Sequence, residues 1–300
     1  MPPVQVRSPD VQQILDTGFQ IFFRAEAPND RTDFIRMIHD FSTAARRPMP
    51  WREEITPYRV VVSEVMLQQT QVPRVLEKFP AFIARFPSFE SLAEAELVDV
   101  LAAWQGLGYN RRARYLHQIA MIVTTSCEGQ LPKDPVDLER LPGIGKATAG
   151  SIAAFAYNLP VVFIETNIRR VFIHHFFAVG KPVSDGEILP LVEITLDREN
   201  PREWYYALMD YGTWLAARVE NPNRRSSHYS RQSRFEGSDR QIRGRILKVL
   251  IRDGAATVEK IMDDSARDEP GRVRRILYDL INEGFITETE GTVMIKARCE

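Results

Sequence analysis

Apolar residues recur at three- and four-residue spacing from about residue 30 to about residue 220, and prolines interrupt the pattern repeatedly. That spacing places apolar side chains on one face of each helix, while prolines mark where helices begin and end. Thr56 and Pro57, for example, are typical of a helix start with a threonine cap and a proline in the first turn. Because 44% of the residues are hydrophobic, the chain can bury a core. The pattern predicts an all-α fold for this region.

A glycine-containing hairpin is predicted between two of these helices, in the run LPGIGKATAGSIAAFAYNLPVVFIETNIRRVF, residues 141–172. Gly143 and Gly145 flank Ile144, and glycine lets backbone amides approach a phosphate oxygen without a Cβ in the way. Lys146 follows directly and adds a positive charge. The run therefore indicates a grip on a phosphate backbone. The alternative is an ordinary turn between two helices.

Glu64 is the first candidate for acid chemistry. It lies in the helical run YRVVVSEVMLQQTQV, residues 58–72, where Val60, Val61 and Leu67 are its neighbours at three- and four-residue offsets. Burial in such a setting raises the pKa of a carboxyl and lets it hold a proton near neutral pH, as a general acid requires. The alternative is a glutamate at the helix edge that pairs with an arginine.

Glu165 is the second candidate, because it lies between the apolar run VVFI and a helical pattern. The positive end of the helix dipole favours an ionised side chain at such a helix start. One protonated and one ionised carboxylate together suit acid-assisted cleavage of a glycosidic bond, in which the second steadies an oxocarbenium-like sugar. The alternative for Glu165 is an acid that only caps its helix.

Four segments are predicted along the chain: an N-terminal extension at 1–30, a helical core of two lobes at 31–220, an arginine-rich linker at 221–238 and a C-terminal module at 239–300. The extension has the character of an added helix or an interaction arm. The module combines helical patterns at about 239–252, 257–264 and 270–284 with an alternating stretch that turns at Glu290 and Gly291. It predicts a small α+β domain like a winged helix. Its third helix carries Arg272, Arg274 and Arg275, and the module is predicted either to read DNA or to bind a protein.

Composition excludes several classes of protein. The two cysteines, Cys127 and Cys299, are far apart in the sequence, which excludes a cysteine-rich metal site and a disulfide framework. No window reaches 18 uninterrupted apolar residues, and the first ten residues lack the pattern of a signal peptide. The sequence therefore predicts a cytoplasmic protein without a membrane segment. With a net charge of -1, any nucleic-acid surface must come from local clusters of basic residues.

Two long motifs, MPWREEITPYRVVVSEVMLQQTQV at 49–72 and GLGYNRRAR at 106–114, resemble those of the helix-hairpin-helix DNA glycosylases, most closely the MutY-type adenine glycosylases. The resemblance covers about residues 30–220. It implies a two-lobed helical fold that binds double-stranded DNA and flips a base out of the duplex before hydrolysing its glycosidic bond.

The resemblance also implies roles for individual residues. Glu64 protonates the flipped base, Glu165 stabilises the sugar cation and Asn167 helps to hold the attacked face. Gln69 and Tyr109 fill the gap that the flipped base leaves, with the tyrosine wedged into the base stack. The base pocket is expected to contain Arg47 and Trp51, and the DNA-binding residues are expected to be Gln68, Gln69, Tyr109, Arg111, Arg112, Gly143, Ile144, Gly145 and Lys146.

Four features depart from the family pattern. The acid after the hairpin is Glu165 where the family has aspartate. Ala147 stands where bifunctional relatives carry a nucleophilic lysine, which predicts hydrolysis without lyase chemistry. The four cysteines of an iron–sulfur cluster, which begin in the family at the position of Ala216, are missing, so no metal or cofactor is expected. The C-terminal module is too short for the Nudix-like domain with which adenine enzymes read oxidised guanine.

Arg224 and Arg225 occupy the region of the missing cluster, and they are predicted to contact phosphate in its place. A solvated linker is the alternative. Taken with the motifs, the sequence predicts a monomeric, monofunctional DNA glycosylase with adenine as the first expected base. The same chemistry on hypoxanthine, a mismatched pyrimidine or a bulky modified cytosine is the closest alternative. A non-catalytic DNA-binding regulator is the alternative from another functional class.

Overall fold

The computed structural model describes residues 23–24, 27–178, 180–231, 234–266 and 269–297. These residues fall into two compact units. The first unit holds the described residues up to Glu53 together with Gly145–Arg231, and the second holds Glu54–Ile144 together with the described residues from 234 onward. The sequence treats 239–300 as a separate segment, whereas the structure groups it with Glu54–Ile144. Most of the predicted N-terminal extension lies outside the described residues.

Helices dominate the described chain, as predicted, and a small sheet lies near the C-terminus. In chain order the elements are α1 (Pro28–Ala45), α2 (Pro50–Glu53), α3 (Pro57–Leu67), α4 (Val72–Arg85), α5 (Phe89–Glu94), α6 (Leu97–Trp104), α7 (Arg111–Ser126), α8 (Pro135–Leu138), α9 (Lys146–Tyr157), α10 (Thr166–Phe176), α11 (Asp185–Thr195), α12 (Pro201–Ala216), a 3-10 turn (Pro222–Arg225), α13 (Asp239–Asp253), β1 (Ala255–Thr257), α14 (Val258–Ala266), α15 (Pro270–Asn282), β2 (Ile286–Thr289) and β3 (Thr292–Ile295).

Local sequence signals account for the helix starts. The Thr56 side chain accepts a hydrogen bond from the backbone N–H of Arg59, and Pro57 occupies the first turn of α3, as predicted. Ser88 and Ser91 form a reciprocal capping box at α5. Such caps satisfy backbone donors that the first helical turn leaves without partners.

In the first unit, α12 packs against α1 and α10. Phe34, Phe172 and Trp204 are fully buried between these helices. The backbones of α10 and α12 meet closely at Gly212, where an added Cβ would stand 2.7 Å from the carbonyl oxygen of Asn167. Only glycine allows that approach, so the backbone of α12 packs directly against the first turn of α10.

In the second unit, α7 packs against α5 and α6, and α3 packs against α4. The C-terminal module contributes three helices and a three-stranded antiparallel sheet in the order β1-β3-β2. Glu290 and Gly291 turn the β2–β3 hairpin with positive φ at both residues, which matches the twist of two-residue hairpins. The predicted helices and hairpin are confirmed, while the short strand β1 was not predicted.

Candidate functional site

Glu64 lies in the last turn of α3, in the second unit. Its neighbours Ser63 and Val65 are buried, and Glu64 itself is half-buried. The helix thus holds the carboxylate at the margin of a packed core, where a proton donor is accessible but partly shielded from water. Its role as the general acid stays a prediction.

Gln69 and Tyr109 both adopt the left-handed backbone region, with φ of 54° and 48°. Few residues other than glycine do so, and such conformations persist only where the surroundings enforce them, often at functional sites. Gln69 follows the end of α3, and Tyr109 precedes α7 after Gly106 and Gly108, which also have positive φ. The two residues predicted to fill the DNA gap therefore both have an unusual backbone conformation, which fixes the direction of their side chains.

Arg112 connects the two loops that carry these residues. Its guanidinium donates six hydrogen bonds of 2.6 to 3.2 Å, to the carbonyl oxygens of Val65, Met66, Gln68, Leu107 and Gly108 and to the hydroxyl of Thr70. Only 6% of the residue is exposed, and burial lowers the pKa of Arg112 to about 10, so the side chain stays charged at neutral pH. That Arg112 contacts DNA phosphate stays a prediction, although both of its Nη atoms already donate to carbonyls and a hydroxyl inside the second unit.

The hairpin residues are divided between the units. In the second unit, Gly143 has φ of 73°, and its carbonyl accepts a hydrogen bond of 3.1 Å from Gln68 Nε2. The Gln68 side chain is thus engaged with the hairpin, and Ile144 is buried. In the first unit, Gly145 caps α9 and Lys146 is exposed in its first turn. The exposed hairpin glycines and lysine remain predicted phosphate contacts.

Glu165 caps α10 in the first unit, as the sequence predicts. Its Oε1 accepts hydrogen bonds from the backbone N–H groups of Asn167, at 2.6 Å, and Ile168, at 2.8 Å. Asn167 Nδ2 donates to Glu165 Oε2 at 3.3 Å, and Asn167 Oδ1 accepts from Arg170 Nη1 at 2.6 Å. Arg170 also donates to the carbonyl of Gly212. A continuous chain of hydrogen bonds therefore links the carboxylate to α12.

The helix start is expected to lower the pKa of Glu165, but burial of the carboxyl has the larger and opposite effect. Desolvation raises the pKa of Glu165 above its ordinary value, although the two backbone N–H groups, Arg170 and Arg169 act to lower it. The sequence predicts that the helix start favours the ionised carboxylate, and the backbone N–H groups act in that direction, but burial acts against them and leaves the pKa raised. The helix dipole contributes only about 1 kcal/mol or somewhat more, whereas packed surroundings penalise the charged form strongly.

The raised pKa of Glu165 predicts a pH-dependent cost to stability. The stability that this group contributes is full below its unfolded pKa and is lost as pH rises through the higher folded pKa. Relative to Glu165→Gln, which does not titrate, the native protein should therefore lose stability as pH rises from about 4.5 toward neutrality. Urea unfolding of both proteins between pH 4 and 8 measures this difference. A difference that stays constant, or that favours the native protein as pH rises, contradicts the raised pKa.

Two basic residues and one acid form a buried cluster beside Trp51 in the first unit. Asp210 on α12 accepts from Arg47 Nε at 2.7 Å and from Arg52 Nη1 at 2.9 Å. The Arg52 guanidinium also lies 4.2 Å from the centre of the Tyr206 ring. Arg47 and Trp51 are the predicted base-pocket residues, whereas Arg52 and Asp210 were missed. A signal for Asp210 was present, since it is a lone acid in the apolar run YALMDYGTWLA.

A strap formed by residues 221–227 holds both ends of α10. Asn223 is buried and its Nδ2 donates to the carbonyl of Thr166 at 2.9 Å, at the start of the helix. Arg225 donates to the carbonyls of Phe177, at 3.0 Å, and Ala178, beyond its end. The backbone of the strap also forms two hydrogen bonds with the backbone of Val183. The alternative of a solvated linker is therefore wrong for this stretch, which is bonded to the helix that carries Asn167.

An open hollow of about 340 Å³ lies beside the strap and is lined by Lys181, Arg224 and Arg225 among others. Arg224 is exposed and pairs with Glu220 at 2.7 Å. Phosphate contact by these cations stays a prediction. The hydrogen bonds of Arg225 also give this residue a structural role, which the sequence did not reveal.

Replacing Arg225 with alanine is expected to lower the free energy of unfolding by about 1–3 kcal/mol, because the carbonyls at the end of α10 lose a charged donor. Arg224→Ala, the matched control, should change it by less than about 0.5 kcal/mol, as for an exposed ion pair. Chemical denaturation measures both. Equal effects of the two substitutions would contradict the structural role of Arg225.

Comparisons with known proteins show which family this chain belongs to. Residues 62–187 match the HhH-GPD superfamily of base excision DNA repair proteins. The adenine DNA glycosylase of Mycobacterium tuberculosis (strain ATCC 25618 / H37Rv) is 32% identical over 271 residues, covering 82% of this chain and 87% of that protein. The chain belongs to the HhH-GPD superfamily. The adenine DNA glycosylase of Mycolicibacterium smegmatis is 34% identical to this HhH-GPD protein over 263 residues, covering 82% of the chain and 89% of the relative.

Solved structures show the same fold for the core of this HhH-GPD protein. A thermostable thymine-DNA glycosylase superposes with a TM-score of 0.54 at 23% identity, covering 61% of this chain and 85% of that one. The mycobacterial matches extend further along the chain. At 82% coverage they cannot be confined to residues 31–220, so they reach into the C-terminal module.

None of the described helices is both long and apolar enough to cross a membrane. Within the same residues, no three His, Cys, Asp or Glu side chains are grouped so that they could hold a metal ion.

Proposed function

We propose that this protein is a monofunctional DNA glycosylase that removes mispaired adenine from double-stranded DNA in base excision repair. The observation that carries the proposal is its identity of 32–34%, over most of the chain, with proteins named adenine DNA glycosylases. Glu64 in its SEVMLQQ motif and Glu165 at the start of α10 supply the two carboxylates that the chemistry needs. The proposed partner is duplex DNA, bound by a monomer in the cytoplasm.

The proposed reaction is hydrolysis of the N-glycosidic bond. Glu64 gives its proton to the departing base as the bond between base and sugar breaks, which lets the base leave as a neutral molecule. The ionised form of Glu165 stabilises the positive charge that develops on the sugar, and a water molecule adds to the sugar carbon. The proton that this water releases passes through solvent and restores the protonated Glu64. Asn167, fixed between Glu165 and Arg170, orients the carboxylate. The products are the free base and an abasic site.

The chain offers no lysine for covalent chemistry next to Lys146. Ala147 occupies that position and is exposed at the start of α9, so an imine intermediate cannot form there. Hydrolysis without strand cleavage is therefore the expected outcome.

A different base is the second candidate substrate. Glu165 carries one methylene more than the aspartate of the family, and Ala147 stands in place of the lysine of bifunctional relatives. Both differences change what the protein presents to the sugar and the base. Hypoxanthine, a mismatched pyrimidine and a bulky modified cytosine are the bases to compare with adenine. A non-catalytic regulator is the remaining alternative.

The test is a panel of labelled duplexes, each with one candidate base opposite each of the four normal bases and opposite 8-oxoguanine. Hot alkali cleaves the strand at abasic sites and reveals excision. We expect cleavage of the adenine mispairs after alkali and none before it. Cleavage of another duplex alone would move the substrate to that base, and no cleavage of any duplex would support the regulator.

A further inference from the structure

The C-terminal module contacts the segment that carries Tyr109, and both belong to the second unit. Arg240, in the first turn of α13, donates a hydrogen bond to the Tyr109 hydroxyl. Its guanidinium also lies 5.1 Å from the centre of the Tyr109 ring, and that of Arg112 lies 5.6 Å from the same ring. A guanidinium within about 6 Å of an aromatic ring is attracted to its face. The tyrosine ring is thus held by two arginines and by a hydrogen bond at its tip.

Glu283 fixes the module to the start of α7. It accepts from Arg111 Nε at 2.9 Å and from Arg243 Nη1 at 3.0 Å, so one carboxylate joins an arginine of the Tyr109 segment to an arginine of α13. Although burial acts to raise it, the hydrogen bonds from the two arginines lower the pKa of Glu283 to about 2. The carboxylate therefore stays ionised, and the pairing persists, across the physiological pH range.

Backbone contacts complete the attachment. The N–H of Leu97, at the start of α6, donates to the carbonyl of Ala297 at 2.9 Å. Phe285 is fully buried, next to the guanidiniums of Arg114 and Arg243. The module is therefore positioned by several independent contacts, and these contacts fix the helix from which Arg240 reaches Tyr109.

Two of the three arginines of α15 pair with acids of the module. Arg272 pairs with Asp239 at 2.6 Å and with Glu269, and Arg275 pairs with Asp239 at 2.7 Å. These charges are compensated inside the module, whereas Arg240 is directed to an aromatic side chain of the Tyr109 segment. The contact to Tyr109 is thus the more specific feature of the module.

We propose that Arg240 is a positioning residue for Tyr109, through which the C-terminal module holds the tyrosine ring in one orientation for entry into the base stack of DNA. This inference rests on the proposed function, because only a base-flipping protein needs a ring to fill the gap. The physical gain is preorganisation. A ring that is already ordered in the free protein loses less rotamer freedom when it inserts.

The test is a double-mutant cycle on the full-length protein with Arg240→Ala and Tyr109→Phe, using a duplex whose base the native protein excises. Tyr109→Phe keeps the ring and removes the hydroxyl. Single-turnover excision is measured together with the fluorescence of 2-aminopurine placed next to the target base, which rises when the stack opens. Arg252→Ala is the matched control, because Arg252 lies on the same helix and pairs with Asp253 and Asp264.

We expect each single substitution to lower the excision rate and the fluorescence change by about fivefold, within the range for ordering one side chain. The double variant should lose less than the product of the two single losses, because both substitutions remove the hydrogen bond between the Arg240 guanidinium and the Tyr109 hydroxyl. Arg240→Lys, which can still donate to the hydroxyl, should recover part of the loss, and Arg252→Ala should match the native protein. If Arg240→Ala does not fold, Arg240→Met takes its place in the cycle.

Losses that multiply in the double variant, or an Arg240→Ala protein that matches the native one, overturn the inference while leaving the proposed function intact. A native protein that excises no base from any duplex overturns the proposed function instead. The two failures are therefore distinguishable.

Discussion

Replacing Glu64 with glutamine is expected to lower the single-turnover rate of base excision by about 100-fold to 10,000-fold, the usual contribution of a general acid. Glutamine keeps the shape of the side chain and its place in the last turn of α3, but it has no proton to give to the departing base. The base must then leave with a negative charge, which makes the bond harder to break. The rate is measured with enzyme in excess over a duplex that carries the excised base.

The matched control for this prediction is Glu77→Gln on α4, because Glu77 is a well-exposed glutamate of the same unit. It should leave the excision rate unchanged. Binding of Glu64→Gln to the duplex should also stay near the native level, since the substitution removes a proton donor and no phosphate contact. Equal excision by Glu64→Gln and the native protein would refute the enzymatic function or assign the proton to another group.

Replacing Arg112 with methionine is expected to lower the free energy of unfolding by about 3–5 kcal/mol, the largest effect that we expect on stability. Methionine fills a similar volume but removes a charged donor from five backbone carbonyls and one hydroxyl, of which the Gly108 carbonyl keeps the Trp104 indole N–H as a second donor. The bonds to the carbonyls of Val65, Met66 and Leu107 are buried. Among the described residues no carboxylate pairs with Arg112, so its removal leaves no unpaired acid. The cost is that of acceptors without donors.

Urea denaturation measures this cost, and Arg140→Met serves as the control. Arg140 lies in the same unit, is well exposed and pairs only with Asp137 three residues away. The control should change the free energy of unfolding by less than about 0.5 kcal/mol. Arg112→Lys should recover little, because a single ammonium cannot reproduce the two Nη atoms that together reach six acceptors. A loss below about 1 kcal/mol for Arg112→Met would show that the two loops are held by other contacts.

The helices and their starts were predictable from sequence because their causes are local. Thr56 with Pro57 and Glu165 at the head of α10 satisfy backbone groups only a few residues away. The hairpin at Glu290 and Gly291 has the same local origin. The candidate catalytic residues were found through motifs, since the spacing around Glu64 and the glycine hairpin is visible in the sequence. Their roles stay predictions until excision is measured.

The partners of the arginines were not predictable in the same way. Arg111, Arg112 and Arg114 form one run in the sequence, and a run of basic residues next to a tyrosine indicates phosphate contact. In the structure Arg112 is buried against backbone carbonyls, while Arg111 pairs with Glu283, 172 residues away. Neighbouring residues on a helix point in different directions, so the same charge run serves different purposes.

The sequence by itself determined the helical class, the starts of several helices and the membership of a DNA glycosylase family, because periodicity, caps and motif spacing are properties of neighbouring residues. Only the tertiary structure decided which charged side chains form hydrogen bonds and ion pairs within the protein. The pKa of Glu165 depends on burial by distant segments, the strap holds α10 through Asn223 and Arg225, and the C-terminal module reaches Tyr109 through Arg240. Desolvation and hydrogen bonding depend on everything that surrounds a group in space, and that environment is assembled from residues far apart in the chain.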